Sequence, residues 1–399
     1  MSHYVSSRVS KLMLPSLPST IDILAHLVSF DSISAKPTHD IVEYICDYLS
    51  TYGIEAELSC DEDGSRANVF ATIGPKVDGG VILNGHTDVV PVHGQNWSTD
   101  PFVLTRKGTR LYGRGSVDMK GFLACVLGSV PVFQSVELVK PIHIAFSYDE
   151  EIGGLGMPVL LESMRKHPFK PSIVIVGEPT NMALITGHKG GYEMRTEIVG
   201  YEVHSCNPTL GVSAITVASK LIQKIESIAQ RVASEPYPDS AFDPPYCTFN
   251  IGTIEGGIAR NATAGRCNFN WEFRPMPGED GEHIISEITN FALTELLPAM
   301  KSIHPDCNIN IITEVLVPAL DDRNAAMAAE FVSQITGLNS RDVVSFGTDA
   351  GYFSSVGLST VVFGPGSISR AHKPDEYIET DELEQGLNFL AKLTQKLSL

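Results

Sequence analysis

Five residues of metal-binding type, His86, Asp118, Glu151, Glu178 and His372, sit in short segments rich in histidine and carboxylate. The segments read NGHTDVVP (84–91), LYGRGSVDMKG (111–121), FSYDEEIGGLG (146–156), VGEPT (176–180) and GPGSISRAHKPDEYIE (364–379). Imidazoles mixed with carboxylates suit zinc or a similar divalent ion, and this many ligands exceeds what one catalytic zinc takes from protein. Two ions sharing a carboxylate satisfy the set. About 3.5–4 Å apart, such ions lower the pKa of a water between them and polarise a carbonyl, which is the equipment for amide hydrolysis at neutral pH. Asp88 lies two residues beyond His86 and falls on the same side of an extended chain, where its carboxylate can accept the imidazole's other N–H and fix the tautomer. Adjacent Glu150 and Glu151 point in different directions, so Glu151 can bind metal while Glu150 acts as general base toward the attacking water.

Each residue also has a plainer role open to it. Asp118 can cap the helix that follows, Glu178 before Pro179 can be a turn residue, and the histidines can be ordinary loop residues. Their coincidence at the ends of strands favours the metal reading, and the strands follow from the pattern of the chain. Apolar runs at 68–73, 81–83, 142–146, 173–176 and 360–363 alternate with helical stretches such as 119–127, which predicts an α/β fold with a mainly parallel sheet and helices on both faces. In such sheets function gathers at the carboxyl ends of the strands. Ahead of them, a helix capped by Thr20 and running through Phe30, and a second over 38–52 stopped by Gly53, are expected.

The middle of the chain has another rhythm: strand 192–199, helix 213–229, strands 248–254 and 266–273, helix 281–300, strand 308–316. That βαββαβ order is the split ferredoxin-like unit, so we expect a catalytic domain over 1–187 and 317–399 with an inserted α+β domain, a lid or dimerisation unit, over 188–316. The segment 235–245, rich in Pro and Asp, reads as a loop within it.

Two domains suit 399 residues with 43% hydrophobic content. The formal charge of −18 argues against nucleic acid or an anionic membrane as partner. Seven scattered cysteines without a CxxC pair fit free thiols in the cytosol. The apolar piece Leu12-Met13-Leu14 is too short for a signal-peptide core, and no run approaches the roughly 20 apolar residues of a spanning helix. Neither a GxSxG elbow nor an HExxH motif occurs, which disfavours a serine hydrolase and a zincin.

These segments, in this order, resemble the zinc aminoacylase and carboxypeptidase-like M20 family, which includes acetylornithine deacetylases, succinyl-diaminopimelate desuccinylases and several dipeptidases, and the likeness spans essentially the whole chain. It implies that His86, Asp118 and Glu178 hold one metal and Glu151, Asp118 and His372 the other, with Asp118 bridging and the peptide bond after it cis. The cofactors so implied are two divalent ions, zinc or else cobalt. Within the family, the run Gly364-Pro365-Gly366-Ser367-Ile368, Ala371-His372, Pro374-Asp375-Glu376-Tyr377 points to a small N-acyl amino acid as substrate, N-acetylornithine first, and so to arginine biosynthesis. The segment Gly200-Tyr201-Glu202-Val203-His204-Ser205 is similar to the one whose histidine holds the tetrahedral oxyanion, often across a homodimer interface, although Cys206-Asn207 departs from the serine-rich form. The resemblance also puts Asn261 and Arg274 around the substrate's carboxylate and Gly347 and Thr348 in a substrate-contacting loop, where Asp349 either meets the ligand's ammonium or supports the loop. The alternatives are a relative acting on another N-acyl amino acid or a dipeptide, and a metal-free binding protein on the same scaffold.

Overall fold

The computed structural model describes residues 14–398, so Leu12 and Met13 of the short apolar piece lie outside the described residues. Contacts divide the chain into two compact units. One runs up to Thr186 and takes in Arg323–Arg341 and the chain from Val356 on; the other comprises Gly187–Asp322 and Asp342–Ser355.

The first unit is built on a mainly parallel sheet whose middle strands, in spatial order Ile142–Ser147, Val81–His86, Ile173–Val176 and Ser359–Val362, all run the same way. These strands are almost wholly buried and rich in Val and Ile, as expected of a sheet covered on both faces. The strand Ala67–Ile73 joins antiparallel to Ile142–Ser147 and carries Ala56–Cys60 at its outer edge. Helices Leu17–Ser29, His39–Ser50, Lys120–Gln134, Ala326–Thr336 and Thr380–Leu397 contribute Leu24, Leu27, Ile45, Leu123, Val126, Ala328, Leu387 and Leu390 to the core.

Several details differ from the sequence reading. The first helix begins at Leu17 with Ser16, not Thr20, as its cap, because Pro18 needs no amide partner in a first turn; Thr20 is buried and donates its hydroxyl to the Ser16 carbonyl at 3.0 Å. Three very short strands, Thr105–Lys107, Arg110–Tyr112 and Tyr377–Glu379, form a small separate sheet too brief to show as a pattern.

The second unit has a four-stranded antiparallel sheet in the order Thr248–Gly256, Arg266–Arg274, Gly191–Val199, Asn308–Val317, with helices Ala214–Ala233 and Gly281–Phe291 between strands in chain order βαββαβ. Met194, Ile198, Phe269, Trp271 and Phe273 face Ala218, Leu221, Ile225 and Ile288 of the helices, while Glu193, Arg195, Glu197, Asn268 and Asn270 alternate to the opposite face. The helix expected over 281–300 is interrupted by a wide turn at Ala292–Leu296 before resuming as Leu297–Lys301; Pro298 has no N–H and its ring crowds the carbonyl four residues back. The 235–245 loop contains a cis Asp243-Pro244 bond and is pinned by buried Lys189, whose ammonium donates to the Pro244 and Tyr246 carbonyls at 2.8 Å each. Among the described residues no helix is long and apolar enough to cross a membrane.

Candidate active site

The four parallel strands deliver the expected donors from one end. Val81–His86 ends on His86, Ile173–Val176 leads through Gly177 to Glu178, Ile142–Ser147 leads to Glu150 and Glu151, and Ser359–Val362 leads into the loop that carries His372. Asp118 comes from the turn before helix Lys120–Gln134, and the Asp118-Met119 bond is cis. That helix lies so close to the sheet that a Cβ on Gly85 would stand 2.6 Å from the Met119 side chain and one on Gly177 2.1 Å from the Phe122 ring. The glycines just before His86 and Glu178 therefore let the helix press its leading turn against the strand ends, which brings Asp118 to the other donors.

Asp118 stands between the two imidazoles. One carboxylate oxygen is 3.3 Å from His86 Nε2 and the other 3.3 Å from His372 Nε2. Glu178 lies 3.6 Å from His86 Nε2, and Glu151 lies 2.9 Å from His372 Nε2. Donor atoms of His86, Asp118 and Glu151 fall within 4.8 Å of one another, and so do those of His86, Glu150 and Glu178. A groove of about 1100 Å³ elsewhere on this unit, bordered by Asp47, Glu57, Lys76 and His167, contains none of these residues, so donor chemistry and not cavity size marks the site.

Burial and mutual charge set the protonation. Burial opposes charge on His86, yet Asp118, Asp88 and Glu178 together hold its pKa well above the ordinary imidazole value. His372, half exposed, is raised to about 10 by Asp118 and Glu151. Burial also works against charge on Asp118, but the two imidazoles outweigh it and its pKa is lowered. Glu178 is pushed well up by burial and by neighbouring Asp118, and Glu151 to about 7 for the same two reasons. This set fits divalent cations: buried carboxylates crowd together and draw protons onto the imidazoles to supply positive charge that a metal ion supplies directly.

A second layer holds the donors. His86 Nδ1 lies 2.9 Å from the backbone carbonyl of Asp88 and 3.6 Å from its carboxylate, so the main chain makes the shorter contact expected of the carboxylate. The Asp88 carboxylate instead accepts from the backbone N–H of Glu150 at 3.0 Å and of Glu151 at 3.2 Å, and from the Ser34 hydroxyl at 2.7 Å. On the far side of that turn Asp149, in the left-handed region at φ 54°, accepts from the Ala35 amide at 2.8 Å and from the Arg66 guanidinium. Ser34 and Arg66 were not singled out in the sequence. Neither lies in a ligand segment, and only the folded chain brings them to the Glu150-Glu151 turn.

His204, Asn261, Arg274, Gly347 and Thr348 belong to the second unit. His204 is exposed, it forms an isolated antiparallel bridge with Ala262, and Ser205 donates its amide to the Asn261 carbonyl at 3.0 Å, so the segments of His204 and Asn261 run side by side. His204 Nδ1 accepts from the Cys206 amide at 3.2 Å, which leaves the proton of a neutral ring on Nε2. Arg274 is already paired with Glu272 on the same strand at 3.0 Å. Gly347 precedes buried Thr348, whose hydroxyl oxygen accepts from the Ala350 amide at 3.1 Å and opens the short helix Ala350–Ser355 with Asp349 buried beside it.

The sequence model of peptidase family M20/M25/M40 matches residues 82–396, a span that includes every donor named above. The chain belongs to this family. An acetylornithine deacetylase of Myxococcus xanthus is 34% identical over 386 residues, covering 93% of this chain and 95% of the relative. Among solved structures, an M20 family metallo-carboxypeptidase from Sulfolobus solfataricus superposes with a TM-score of 0.73 at 19% identity, over 95% of this chain and 98% of that one. A dinuclear metal-binding M20 peptidase from Bacillus subtilis gives 0.63 at 15% identity, over 96% and 99%. Membership bears out the resemblance read from the sequence and the α/β fold with its inserted antiparallel domain, and it makes the chain a metal-dependent amidohydrolase.

Proposed function

We propose that the chain hydrolyses the amide of N-acetyl-L-ornithine to ornithine and acetate, with two divalent ions, zinc or else cobalt, as cofactors. The observation that carries the two-ion reading is Asp118, one oxygen directed to each imidazole at 3.3 Å. His86, Asp118 and Glu178 would hold one ion and Asp118, Glu151 and His372 the other. When bound, such ions lower the pKa of a water and polarise the amide carbonyl. Glu150 takes the proton of the attacking water and returns it to the leaving amine, and Asp88 fixes the turn from which it acts. The substrate reading draws support from the relative in Myxococcus xanthus and from the 364–377 run.

For the second unit the reading keeps the roles implied by the family. His204, with its proton on Nε2, donates to the oxyanion; Asn261, Arg274, Gly347 and Thr348 bind the substrate. For Arg274 this means exchanging Glu272 for the substrate's carboxylate. A homodimer through this unit is supported by the edge strand Thr248–Gly256, where Ile254 is 52% exposed, and by Ile258 just beyond its end, 82% exposed.

The test is initial rate on N-acetylornithine beside N-acetylmethionine, N-succinyl-diaminopimelate and a dipeptide, with chelator-stripped protein before and after zinc or cobalt is restored. Metal-dependent preference for N-acetylornithine is the expected result. Preference for another of these substrates overturns the specificity and leaves the metal chemistry standing.

A further inference from the structure

The donors are gripped from below by a buried side chain that none of the roles above uses. Arg114 is 1% exposed, with its guanidinium carbon 5.0 Å from the centre of the Trp97 ring. One arm, Nη1, donates to Glu376 Oε2 at 2.6 Å. The other oxygen of Glu376 accepts from the backbone amides of Val117 at 3.0 Å and Asp118 at 3.2 Å. The second arm, Nη2, donates to Gln95 Oε1 at 2.6 Å. Because that oxygen also accepts from Trp97 Nε1 at 3.0 Å, the Gln95 amide can only turn its NH2 the other way, where it donates to the His372 carbonyl at 3.0 Å.

We infer that Arg114 is a positioning residue that sets two of the metal donors together, the shared Asp118 through Glu376 and the outer His372 through Gln95. The inference rests on the two-ion reading. His372 needs such a hold: its backbone lies in the left-handed region at φ 61°, which a residue with a Cβ adopts only against steric resistance. Arg114 is the cation that faces the Glu376 carboxylate, and both side chains are only 1% exposed, so the carboxylate that fixes the Asp118 backbone is itself held by a buried ion pair. A lysine could satisfy Glu376 as a point charge, but the planar fork of arginine directs separate N–H groups to two partners on different segments.

The prediction is a selective one. Of the proposed metal donors Gln95 bonds to His372, so loss of this arm should weaken the ion held by Asp118, Glu151 and His372 and spare the one held by His86, Asp118 and Glu178. The experiment uses the full chain as wild type, Gln95→Leu and Arg114→Lys. It reads the number of zinc ions bound by native mass spectrometry, each affinity by competition with a chromogenic chelator, the visible absorption of the cobalt-loaded protein, and the unfolding temperature of the metal-free protein. In both variants one ion should be held within about threefold of wild type and the other ~10- to 100-fold more weakly, the range for lost outer partners of metal ligands. The cobalt spectrum should change, and because Gln95→Leu also strips an acceptor from Arg114 Nη2 and Trp97 Nε1, its metal-free unfolding temperature should fall without loss of the ion held by His86, Asp118 and Glu178. Two ions held with wild-type affinities in both variants would overturn the inference and leave the two-ion reading intact. Equal weakening of both ions alongside a lower metal-free unfolding temperature would make Arg114 a purely structural residue. A wild-type chain that binds fewer than two ions removes the two-ion reading and the inference with it.

Discussion

Replacing Asp88 by asparagine tests whether its carboxylate governs the turn that carries Glu150 and Glu151. The substitution keeps size and shape but removes the charge and turns one acceptor oxygen into a donor. Oδ1 accepts from the Glu150 amide at 3.0 Å, and Oδ2 from the Glu151 amide at 3.2 Å and the Ser34 hydroxyl at 2.7 Å. The hydroxyl can rotate to accept from an NH2 group, but a backbone N–H cannot, so either orientation of the new amide sets a donor against a donor. Hydrogen bonds to a charged acceptor contribute about 1.5–3 kcal/mol each; losing one outright and the charge from the rest should cost about 2–4 kcal/mol in the placement of the turn. At 1.4 kcal/mol per factor of ten, that is a fall of roughly 30- to 1000-fold in kcat/KM. The assay is steady-state hydrolysis of N-acetylornithine with the metal content of each preparation measured alongside. The loss should lie in kcat with both ions retained. Asp88→Asn within threefold of wild type would refute the argument that this carboxylate positions the base.

Glu150→Gln should bind two ions and lose ~100- to 10,000-fold in kcat, the span of a missing general base; loss of metal instead would make Glu150 a ligand. Ile258→Asp should turn a dimer into a monomer by sedimentation at micromolar concentration, and a fully active wild-type monomer would remove both the dimer and a His204 acting across it. His143 is buried beside Phe70 and accepts or donates at Thr72 Oγ1 over 2.9 Å, and burial pushes its pKa down to about 4. A depressed histidine is neutral in the fold while the unfolded chain takes up a proton below about 6.5, so its contribution is lost as pH falls from there toward 4, by up to about 3 kcal/mol. The stability advantage of the metal-free wild type over His143→Gln, measured by urea unfolding, should therefore shrink between pH 7 and pH 4.5; a difference that does not move with pH contradicts the assignment.

Much of the scaffold was legible because its signals are local. Runs of Val and Ile mark the four parallel strands, and His86, Glu151 and Glu178 follow their runs within a few residues while His372 comes later, in the loop after Val362, so sheet position and ligand type could be read together. The βαββαβ order of the second unit was legible for the same reason. What escaped depends on contacts between segments far apart in the chain. Residue spacing placed Asp88 beside His86, but not the competition in which the backbone carbonyl takes the imidazole and the carboxylate takes the Glu150-Glu151 turn. Arg114, Gln95 and Glu376 form one network across more than 250 residues, and nothing in the segment around Gln95 marks it as a support for His372. Arg274 is a different case: it has the right type for a carboxylate clamp, but Glu272, two residues back on the same face of its own strand, already occupies the guanidinium. The break in the helix at Ala292–Leu296 was foreshadowed by Pro298, which lies inside an otherwise strong helical pattern.

The central claim is that two ions, joined through Asp118, are needed for turnover. Its most direct test is titration of chelator-stripped protein with zinc, following hydrolysis of N-acetylornithine and bound metal in the same samples. The rate should be negligible without metal and should level off at two ions per chain. Full activity in the stripped protein, or a rate that reaches its plateau with one ion bound, would contradict it.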